Sequence, residues 1–458
     1  FWQEEEIVTE STQIREIILE VLLQINRDGE HSHLAIRHAL DKVQYLPRQE
    51  RAFINRVCQG TIEHRIRIDY VIDRYSSVKT QKMKPVIRDI LRSAVYQLLF
   101  MDGVPDSAAC NEAVKLAQKK GFYSLKGFVN GVLRTISREK DRIVWPDREK
   151  DPLEYLSVWY SLPMWLVKRW TGQFGYAVTE QMAADFLEEH PTCIRCQQYR
   201  MNQEMVVDSL TRQGITVTPA PYLPYALYIS GYGHLSAVKS FLMGRFQVQD
   251  VSSMLVAEAA APKKGDYVID LCAAPGGKSL HVADKMEGTG QVEARDLTDY
   301  KVELIRENID RMRAANVTAV VADATVADRD SVGKADVVLA DVPCSGLGVI
   351  GKKPDIKYRM NEEEIAELVV LQRRILHNAA SYVKPGGTLI YSTCTVTPQE
   401  NQENVRWFTE NYPYRLDSLD PFLPQELHSE DTAAGWLQLL PGVSKTDGFF
   451  LARLVRTE

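Results

Sequence analysis

Short apolar runs separated by helical segments constrain the fold of this 458-residue chain more than any other feature. They begin near residue 245, and the clearest are Tyr267–Leu271, Gln291–Ala294, Ala319–Val321, Val337–Ala340 and Thr388–Tyr391. Strands that alternate with helices form right-handed crossover units, so this part is predicted to be a parallel, doubly wound α/β sheet. Ligands bind such sheets beyond the carboxyl ends of the strands, which makes the residues there the first candidates for chemistry.

A glycine turn follows the first run, in Asp270-Leu271-Cys272-Ala273-Ala274-Pro275-Gly276-Gly277-Lys278. Its glycines let the backbone approach a ligand closely, and the helix after it offers unpaired amides. Its spacing is neither the dinucleotide pattern nor a phosphate loop, and a merely structural turn is nearly as good an interpretation of the glycines alone. Asp296, Asp323 and Asp341 are predicted to end the next three strands, where acids can bind ribose hydroxyls. The combination predicts an adenosine-containing cofactor.

Two cysteines are predicted to lie just past buried strands, Cys344 in Asp341-Val342-Pro343-Cys344-Ser345-Gly346 and Cys394 in Ser392-Thr393-Cys394. A lone cysteine is more often a small buried hydrophobe, but these two have polar and turn-forming neighbours. Thiolates at strand-to-loop turns are nucleophiles, so the pair indicates covalent chemistry on an electrophile. The residues alone do not rank the two thiols.

The other five cysteines are predicted to be structural or to adjoin the cofactor. Cys272 lies in the glycine turn, and Cys58 and Cys110 lie in helical sequence typical of packing residues. Cys193 and Cys196 form a C-x-x-C without a partner motif, so we predict no metal site there. Seven thinly spread cysteines in a long chain argue against a disulfide scaffold and favour a cytoplasmic protein. No stretch is apolar enough to span a membrane.

The chain is long enough for two or three domains, and its sequence pattern changes twice. Residues 7–140 carry apolar residues at helical spacing and no strand-like alternation, which predicts an all-helical domain. Residues 137–152 are predicted to be a linker, 153–244 a small α/β subdomain, and 245–456 the α/β domain. Residues 1–150 carry 25 Lys+Arg against 21 Asp+Glu, whereas the whole chain has a net charge of −6. A polyanion, if one binds, is therefore expected to contact the N-terminal part.

At these motifs the sequence resembles the RNA cytosine-C5 methyltransferases of the Sun (Fmu) family. The segments that match are Gln249–Ser253, Asp270–Lys278, Asp341–Gly346, Pro385–Cys394, Pro398 with Glu400-Asn401, and Asp447–Phe450. The N-terminal domain resembles NusB, an RNA-binding helical fold, in segments 48–60, 92–105, 111–114 and 127–134. A NusB-like domain joined to this catalytic domain is the layout of the family members that modify small-subunit ribosomal RNA.

The resemblance implies a Rossmann-like class I methyltransferase domain that methylates one cytosine of 16S rRNA, usually numbered 967, with S-adenosylmethionine. It implies Cys394 as the nucleophile that adds to C6, Cys344 as a helper in release, and Asp341 as a hydrogen-bonding partner of the base. The cofactor site it implies consists of Cys272, Ala273, Ala274, Pro275, Gly276, Gly277, Lys278, Asp296, Asp323 and Asp341. Residues 153–244 would be a linking subdomain that helps to grip RNA.

Three alternatives stay open at this point. The chain could be a non-enzymatic RNA-binding scaffold of the NusB type, or a C5-methyltransferase that acts on another RNA such as tRNA. Cys344 could instead be the nucleophile, because the Pro-Cys cysteine attacks the base in the related DNA methyltransferases. With RNA as the expected partner, we expect neither DNA nor a membrane to be bound, and we expect a monomer.

Overall fold

The computed structural model describes residues 2–458, with side chains from residue 13 onward. The chain divides into two compact units. The first comprises Phe1–Leu187 together with Ile350–Arg359, and the second comprises Glu188–Val349 together with Met360–Glu458. Among the described residues, no helix combines the length and apolarity that crossing a bilayer requires.

The first unit is built of α-helices, which confirms the helical prediction for residues 7–140. Its helices up to residue 187 are α1 (Trp2–Asn26), α2 (Ser32–Lys42), α3 (Arg48–Glu63), α4 (Arg65–Tyr75), α5 (Pro85–Phe100), α6 (Asp106–Lys119), α7 (Lys126–Glu139), α8 (Pro152–Trp159), α9 (Met164–Phe174) and α10 (Tyr176–Asp185). Helix α5 is almost entirely buried and packs against α1, α3, α4, α6 and α7. Cys58 and Cys110 are buried in this core, which confirms that they are packing residues.

The segment predicted as a linker is packed rather than free. Helix α7 continues to Glu139, and the irregular stretch after it ends where Pro152 begins α8. Ile143 is buried in the helical core, and Trp145 stacks on Tyr70 with their ring centroids 5.8 Å apart. Polar composition predicted the irregular backbone but missed these two anchors, because isolated apolar residues carry no periodic signal.

Helices α8 to α10 lie in the first unit, although the sequence pattern groups them with residues up to 244. Contacts with α4 account for this. The Ser161 hydroxyl accepts hydrogen bonds from the backbone amides of Ile66 and Arg67, at 2.8 and 3.2 Å. The guanidinium of Arg67 also lies 3.9 Å from the ring centroid of Trp159. Trp159 ends α8, and Trp165 and Trp170 lie on α9, because the chain turns at Pro163 between the two helices.

The second unit begins with a small antiparallel sheet in the order β2-β3-β1-β4, accompanied by two helices. Its elements are β1 (Thr192–Cys196), α11 (Gln203–Thr211), β2 (Thr216–Pro219), β3 (Ala226–Ser230), α12 (Lys239–Leu242) and β4 (Phe246–Val248). Cys193 and Cys196 lie three residues apart on β1 and pack into different apolar clusters. Because side chains alternate along a strand, these two thiols face opposite sides of the sheet.

The rest of the second unit is a large sheet flanked by helices. Its elements are α13 (Val251–Ala260), β5 (Tyr267–Asp270), α14 (Gly277–Lys285), β6 (Gln291–Asp296), α15 (Asp299–Met312), β7 (Val317–Val321), β8 (Ala335–Asp341), α17 (Glu362–Tyr382), β9 (Val383–Thr393), α18 (Gln402–Asn411), β10 (Tyr414–Leu416), α19 (Glu430–Ala434), β11 (Trp436–Leu439) and β12 (Phe449–Arg456). The short helix α16 (Ile356–Arg359) belongs to the first unit. All five predicted strands are present.

The large sheet is mixed, which corrects the expectation of a purely parallel one. The strand order is β10-β12-β9-β8-β5-β6-β7, with β11 paired to β12. The five predicted strands, β5 to β9, are parallel to one another. β12 pairs with β9 antiparallel, and β10 and β11 pair with β12 antiparallel. Antiparallel pairing needs no crossover helix, so β12 follows β11 directly, and β10 and β11 are only three and four residues long.

Gly60 on α3 provides a test of packing in the helical core. A Cβ built there would lie 2.0 Å from the Tyr96 ring, so Gly60→Ala forces the ring or a helix to move. We expect this substitution to cost about 1–3 kcal/mol and to lower hydrogen-exchange protection of α3 and α5. Gly131→Ala on α7 is the matched control, because nothing lies within 4 Å of its added Cβ. Equal protection in the two variants would contradict the packing.

Candidate active site

The carboxyl ends of four neighbouring strands carry most of the polar residues that the sequence singles out. β6, β5, β8 and β9 lie side by side in that order and run parallel. They end at Asp296, Asp270, Asp341 and Thr393. Carboxyl ends of parallel strands share one edge, so the glycine turn, the acids and both cysteine segments meet there. This edge is called the rim below.

The glycine turn joins β5 to α14 at the rim. Gly276 has a φ of +100°, a left-handed conformation that strains any residue with a Cβ. Gly277 begins α14, and within 4 Å its added Cβ would meet only the Gln249 side chain. The first amides of α14 have no partner within the helix. The turn therefore leaves an open backbone surface with donors, as a bound ligand requires.

Asp270 is a fully buried carboxyl group immediately before this turn. Its Oδ2 accepts a hydrogen bond of 2.6 Å from the Ser279 hydroxyl, and its Oδ1 has no partner among the described residues. Burial, reinforced by the nearby Asp341 carboxylate, raises the pKa of Asp270 to about 7. A buried acceptor without a donor is costly, so Oδ1 indicates a position that a ligand donor occupies. Sequence reasoning did not include Asp270 in the site, although an acid ending a buried strand is a visible signal.

Asp296 is tied to the glycine turn. It is buried, its Oδ2 accepts from the amide of Ala274 at 3.0 Å, and its Oδ1 accepts from Leu297 at 2.8 Å. Lys301 pairs with it at 3.1 Å. Asp323 is different: it lies two residues beyond β7, is exposed, and accepts from the amide and hydroxyl of Thr325. The structure thus brings Asp296 to the glycine turn, whereas Oδ1 of Asp323 binds only within its own local turn.

Asp341 and Lys278 form an ion pair at the centre of the rim. Asp341 Oδ2 lies 2.7 Å from Lys278 Nζ, and Asp341 Oδ1 accepts a 2.8 Å hydrogen bond from the Ser392 hydroxyl. Burial acts to lower the pKa of Lys278, but the carboxylate of Asp341 and, more weakly, Asp270 and Cys394 raise it. Lys278 therefore stays protonated, and it presents a fixed positive charge close to Cys394.

The sulfur atoms of Cys344 and Cys394 lie 3.3 Å apart, and both residues are partly exposed. The sequence places them 50 positions apart, and parallel pairing of β8 with β9 brings them together. The pKa of Cys344 is raised well above its usual range, first by the hydrogen bond with Cys394, then by burial and by the charges of Cys394 and Glu400. At neutral pH, Cys344 therefore carries a proton next to Cys394.

The loop after Cys344 packs against the segment Asp447-Gly448-Phe449-Phe450 backbone to backbone. The Gly448 amide donates to Gly348 O at 2.9 Å, and the Gly348 amide donates to Cys394 O at 3.0 Å. A Cβ at Gly348 would lie 2.2 Å from Gly448 O, so only glycine fits there. Phe449 lies beneath Lys278, whose Nζ is 5.5 Å from the ring centroid. The C-terminal motif therefore supports both the thiol loop and the lysine.

Comparison with known protein families matches three parts of the chain. The family described as 16S rRNA methyltransferase RsmB/F matches residues 257–455, and the NusB family matches residues 12–138. The ferredoxin-like domain of RsmF/B-like methyltransferases matches residues 162–235. These matches lie in the same order as the predicted methyltransferase layout.

Full-length relatives agree with these matches. A Bacillus subtilis protein named "Probable ribosomal RNA small subunit methyltransferase B" is 36% identical over 446 residues, 97% of this chain and 98% of that protein. A Synechocystis protein of the same name is 32% identical over 96% of this chain and 98% of its own length. The chain belongs to the 16S rRNA methyltransferase RsmB/F family. The solved structure of PH0851, at 29% identity, superposes with a TM-score of 0.82 over 97% of this chain and 98% of that one.

Membership confirms the resemblance, the Rossmann-like fold, and S-adenosylmethionine as the cofactor of these methyltransferases. The residues at the rim fit this cofactor. Asp270 Oδ1 is a buried acceptor that an ammonium group can satisfy, and Asp296 is a carboxylate held against the turn. The glycine turn offers space at Gly277, and the first amides of α14 have no partner within the helix. These residues would hold the amino-acid part and the ribose of the cofactor.

The buried carboxyl group of Asp270 predicts a pH-dependent stability. Its pKa is about 7 in the folded protein and near 3.8 when exposed, so the folded state retains a proton that the unfolded state loses between these values. The contribution of the Asp270 carboxyl group to the free energy of unfolding is therefore largest below about pH 4, and it is lost as the pH rises through 7. Asp270→Asn cannot ionise, so its melting temperature relative to the parent protein should increase between pH 5 and pH 8. The difference should amount to roughly 1–4 kcal/mol.

Asp310→Asn is the matched control, because that carboxylate is exposed on α15. Its melting temperature relative to the parent protein should be the same at both pH values. A pH-independent difference for Asp270→Asn as well would show that Asp270 is ionised throughout this range.

Proposed function

We propose that this protein transfers a methyl group from S-adenosylmethionine to C5 of one cytosine in 16S rRNA, through a covalent bond between Cys394 and C6. The observation that carries the proposal is the pair of sulfur atoms 3.3 Å apart at the rim that also holds the glycine turn and Asp341. The printed names of the full-length relatives support ribosomal RNA as the substrate.

Covalent catalysis is needed because C5 of cytosine is a poor nucleophile. Addition of a thiolate to C6 converts the C5–C6 bond into an enamine-like system in which C5 is electron-rich. S-adenosylmethionine supplies the electrophilic methyl group. The adduct then loses the proton from C5, and the bond from sulfur to C6 breaks, which restores the aromatic ring and the free enzyme.

Cys394 is assigned as the attacking thiolate, in agreement with the family resemblance. The protonated Lys278 lies close enough to Cys394 for each charge to affect the other. A fixed cation favours the thiolate form of a nearby cysteine. Cys344 keeps its proton next to this thiolate and so does not compete for attack.

Cys344 is assigned to release, because its environment changes when the adduct forms. The hydrogen bond with Cys394 and the charge on Cys394 are two of the causes that raise the pKa of Cys344. Both vanish when Cys394 becomes a neutral thioether. Cys344 is then more acidic, and as a thiolate it can accept the C5 proton directly or through a water molecule.

Asp341 is assigned to the base. Addition at C6 places electron density on N3, and protonation of N3 stabilises the adduct. The Asp341 carboxylate, held by Ser392 and Lys278, can accept a hydrogen bond from the protonated N3 without moving. Since C6 of a stacked base is inaccessible to a thiol, the target cytosine must be unpaired or flipped out.

Covalent trapping distinguishes the two thiols. Cys394→Ala should abolish methyl transfer and form no adduct, because the atom that attacks C6 is gone. Cys344→Ala should attack and then fail to release, so that a protein–RNA adduct accumulates on denaturing gels with labelled RNA and S-adenosylmethionine. Cys193→Ala, a buried thiol away from the rim, is the control and should turn over normally. Adducts formed by Cys394→Ala but not by Cys344→Ala would assign Cys344 as the nucleophile.

The target is tested in cells that lack the gene. Bisulfite sequencing of small-subunit rRNA should show loss of one 5-methylcytosine, at the position usually numbered 967, and complementation with the Cys394→Ala gene should not restore it. Sequencing tRNA from the same cells covers the main alternative substrate. An unchanged 16S pattern together with a lost tRNA site would move the assignment to tRNA.

A further inference from the structure

We propose that Glu400 and Asn401 are positioning residues, each for one of the two thiols. Glu400 holds Cys344 in position for release, and Asn401 holds Cys394 in position for attack. The inference rests on the proposed function, because it concerns how the two assigned thiols are held. Both residues are fully buried, six and seven positions after Cys394. Neither residue type is expected in a core without partners.

Glu400 binds the residue next to Cys344 twice. Its Oε1 accepts from the Ser345 amide at 2.8 Å, and its Oε2 accepts from the Ser345 hydroxyl at 2.5 Å. The Ser345 amide belongs to the peptide group that Cys344 forms with Ser345, so this bond fixes the orientation of Cys344 itself. Gln372 on α17 donates to the same Oε1 at 2.9 Å and anchors the carboxylate.

Asn401 binds both neighbours of Cys394. Its Oδ1 accepts from the Thr393 hydroxyl at 2.6 Å, and its Nδ2 donates to the Thr395 carbonyl at 3.0 Å. The same Nδ2 donates to Gln438 on β11 at 2.8 Å. A side chain that holds residues on both sides of Cys394 restricts rotation of the backbone that carries the thiol.

The two sets of contacts meet at the residues that directly follow the two cysteines. The hydroxyls of Ser345 and Thr395 are 2.7 Å apart, which links the loop of Cys344 to the loop of Cys394. The separation of the two sulfur atoms is therefore set by a chain of buried hydrogen bonds. Such a chain is sensitive to the loss of any member, because each partner left behind is buried and unsatisfied.

Glu400 also contributes a negative charge. Its partners are amide and hydroxyl groups, which an uncharged glutamine could bind as well. The amide oxygen of a glutamine could accept from Ser345 and Gln372, while its NH2 group could donate to the Ser345 hydroxyl. Glu400→Gln therefore preserves the positioning and removes the charge, whereas Glu400→Ala removes both.

The test separates adduct formation from release, using the full-length protein, S-adenosylmethionine and a labelled 16S rRNA fragment. Glu400→Ala should still form the adduct but release it roughly 10- to 100-fold more slowly, because Cys344 is misplaced. Glu400→Gln should restore release to within about tenfold of the parent rate. Asn401→Leu should reduce adduct formation by roughly 10- to 100-fold, even when combined with Cys344→Ala, which otherwise accumulates adduct.

The variants above should differ from the parent protein only in adduct formation or in release. Cofactor binding, measured by calorimetry, should be unchanged in all of them, and Glu403→Ala and Asn411→Ala, two exposed residues of α18, should behave as the parent does. Loss of attack and release together in both variants, with the cofactor still bound, would overturn the division of roles. If Glu400→Ala does not bind cofactor, Glu400→Met tests the same link, because it fills a similar space without accepting from the Ser345 amide, and normal release by Glu400→Met would overturn the assignment.

Failure of the proposed function has a different signature. In that case Cys344→Ala would accumulate no adduct while Glu400 and Asn401 are intact. An adduct that accumulates with Cys344→Ala, but does not respond to Glu400→Ala or Asn401→Leu, would leave the proposed function in place and remove only the positioning roles.

Discussion

Parallel pairing of β5, β8 and β9 is the constraint on which the rest of the site depends. It fixes Asp270, Asp341 and Thr393 at one edge, and the loops that leave those strands then have little freedom in where they place Cys344 and Cys394. Neither thiol is near the other in sequence, and neither lies in a helix or strand that could orient it. Strand register therefore sets the coarse position, and hydrogen bonds within the loops set the final distance between the sulfur atoms.

Electrostatics then gives neighbouring groups different protonation states. Asp341 is paired with Lys278, whereas Asp270, on the neighbouring strand, is fully buried, and burial raises its pKa to about 7. The two thiols show the same division, since one sits near the ammonium of Lys278 and the other near the carboxylate of Glu400. Groups of one chemical type are thus suited to different steps because the charges around them differ.

The sequence was sufficient for the architecture wherever a periodic pattern existed. The helical core was predicted because apolar residues recur every three to four positions. The five parallel strands were predicted because short apolar runs alternate with helical segments. The antiparallel strands around β12 were not, because β10 and β11 are only three and four residues long and no helix separates β11 from β12. Asp296, Asp341 and both thiols were placed at the rim by strand ends alone. The turn role of Asp323 and the unsatisfied oxygen of Asp270 depend on atoms that no pattern of residue types reveals.

The ranking of the thiols shows what the structure adds to a resemblance. Sequence motifs assign Cys394 to attack only by analogy, and the analogy with DNA methyltransferases points to Cys344 instead. The charges near the two cysteines differ, and this difference supports the proposal that Cys394 attacks. Cys394 lies near a fixed positive charge, whereas Cys344 lies near a buried negative one, and a thiolate is stabilised by the former and opposed by the latter. The charges around each sulfur atom therefore support the proposed assignment, as the family pattern does.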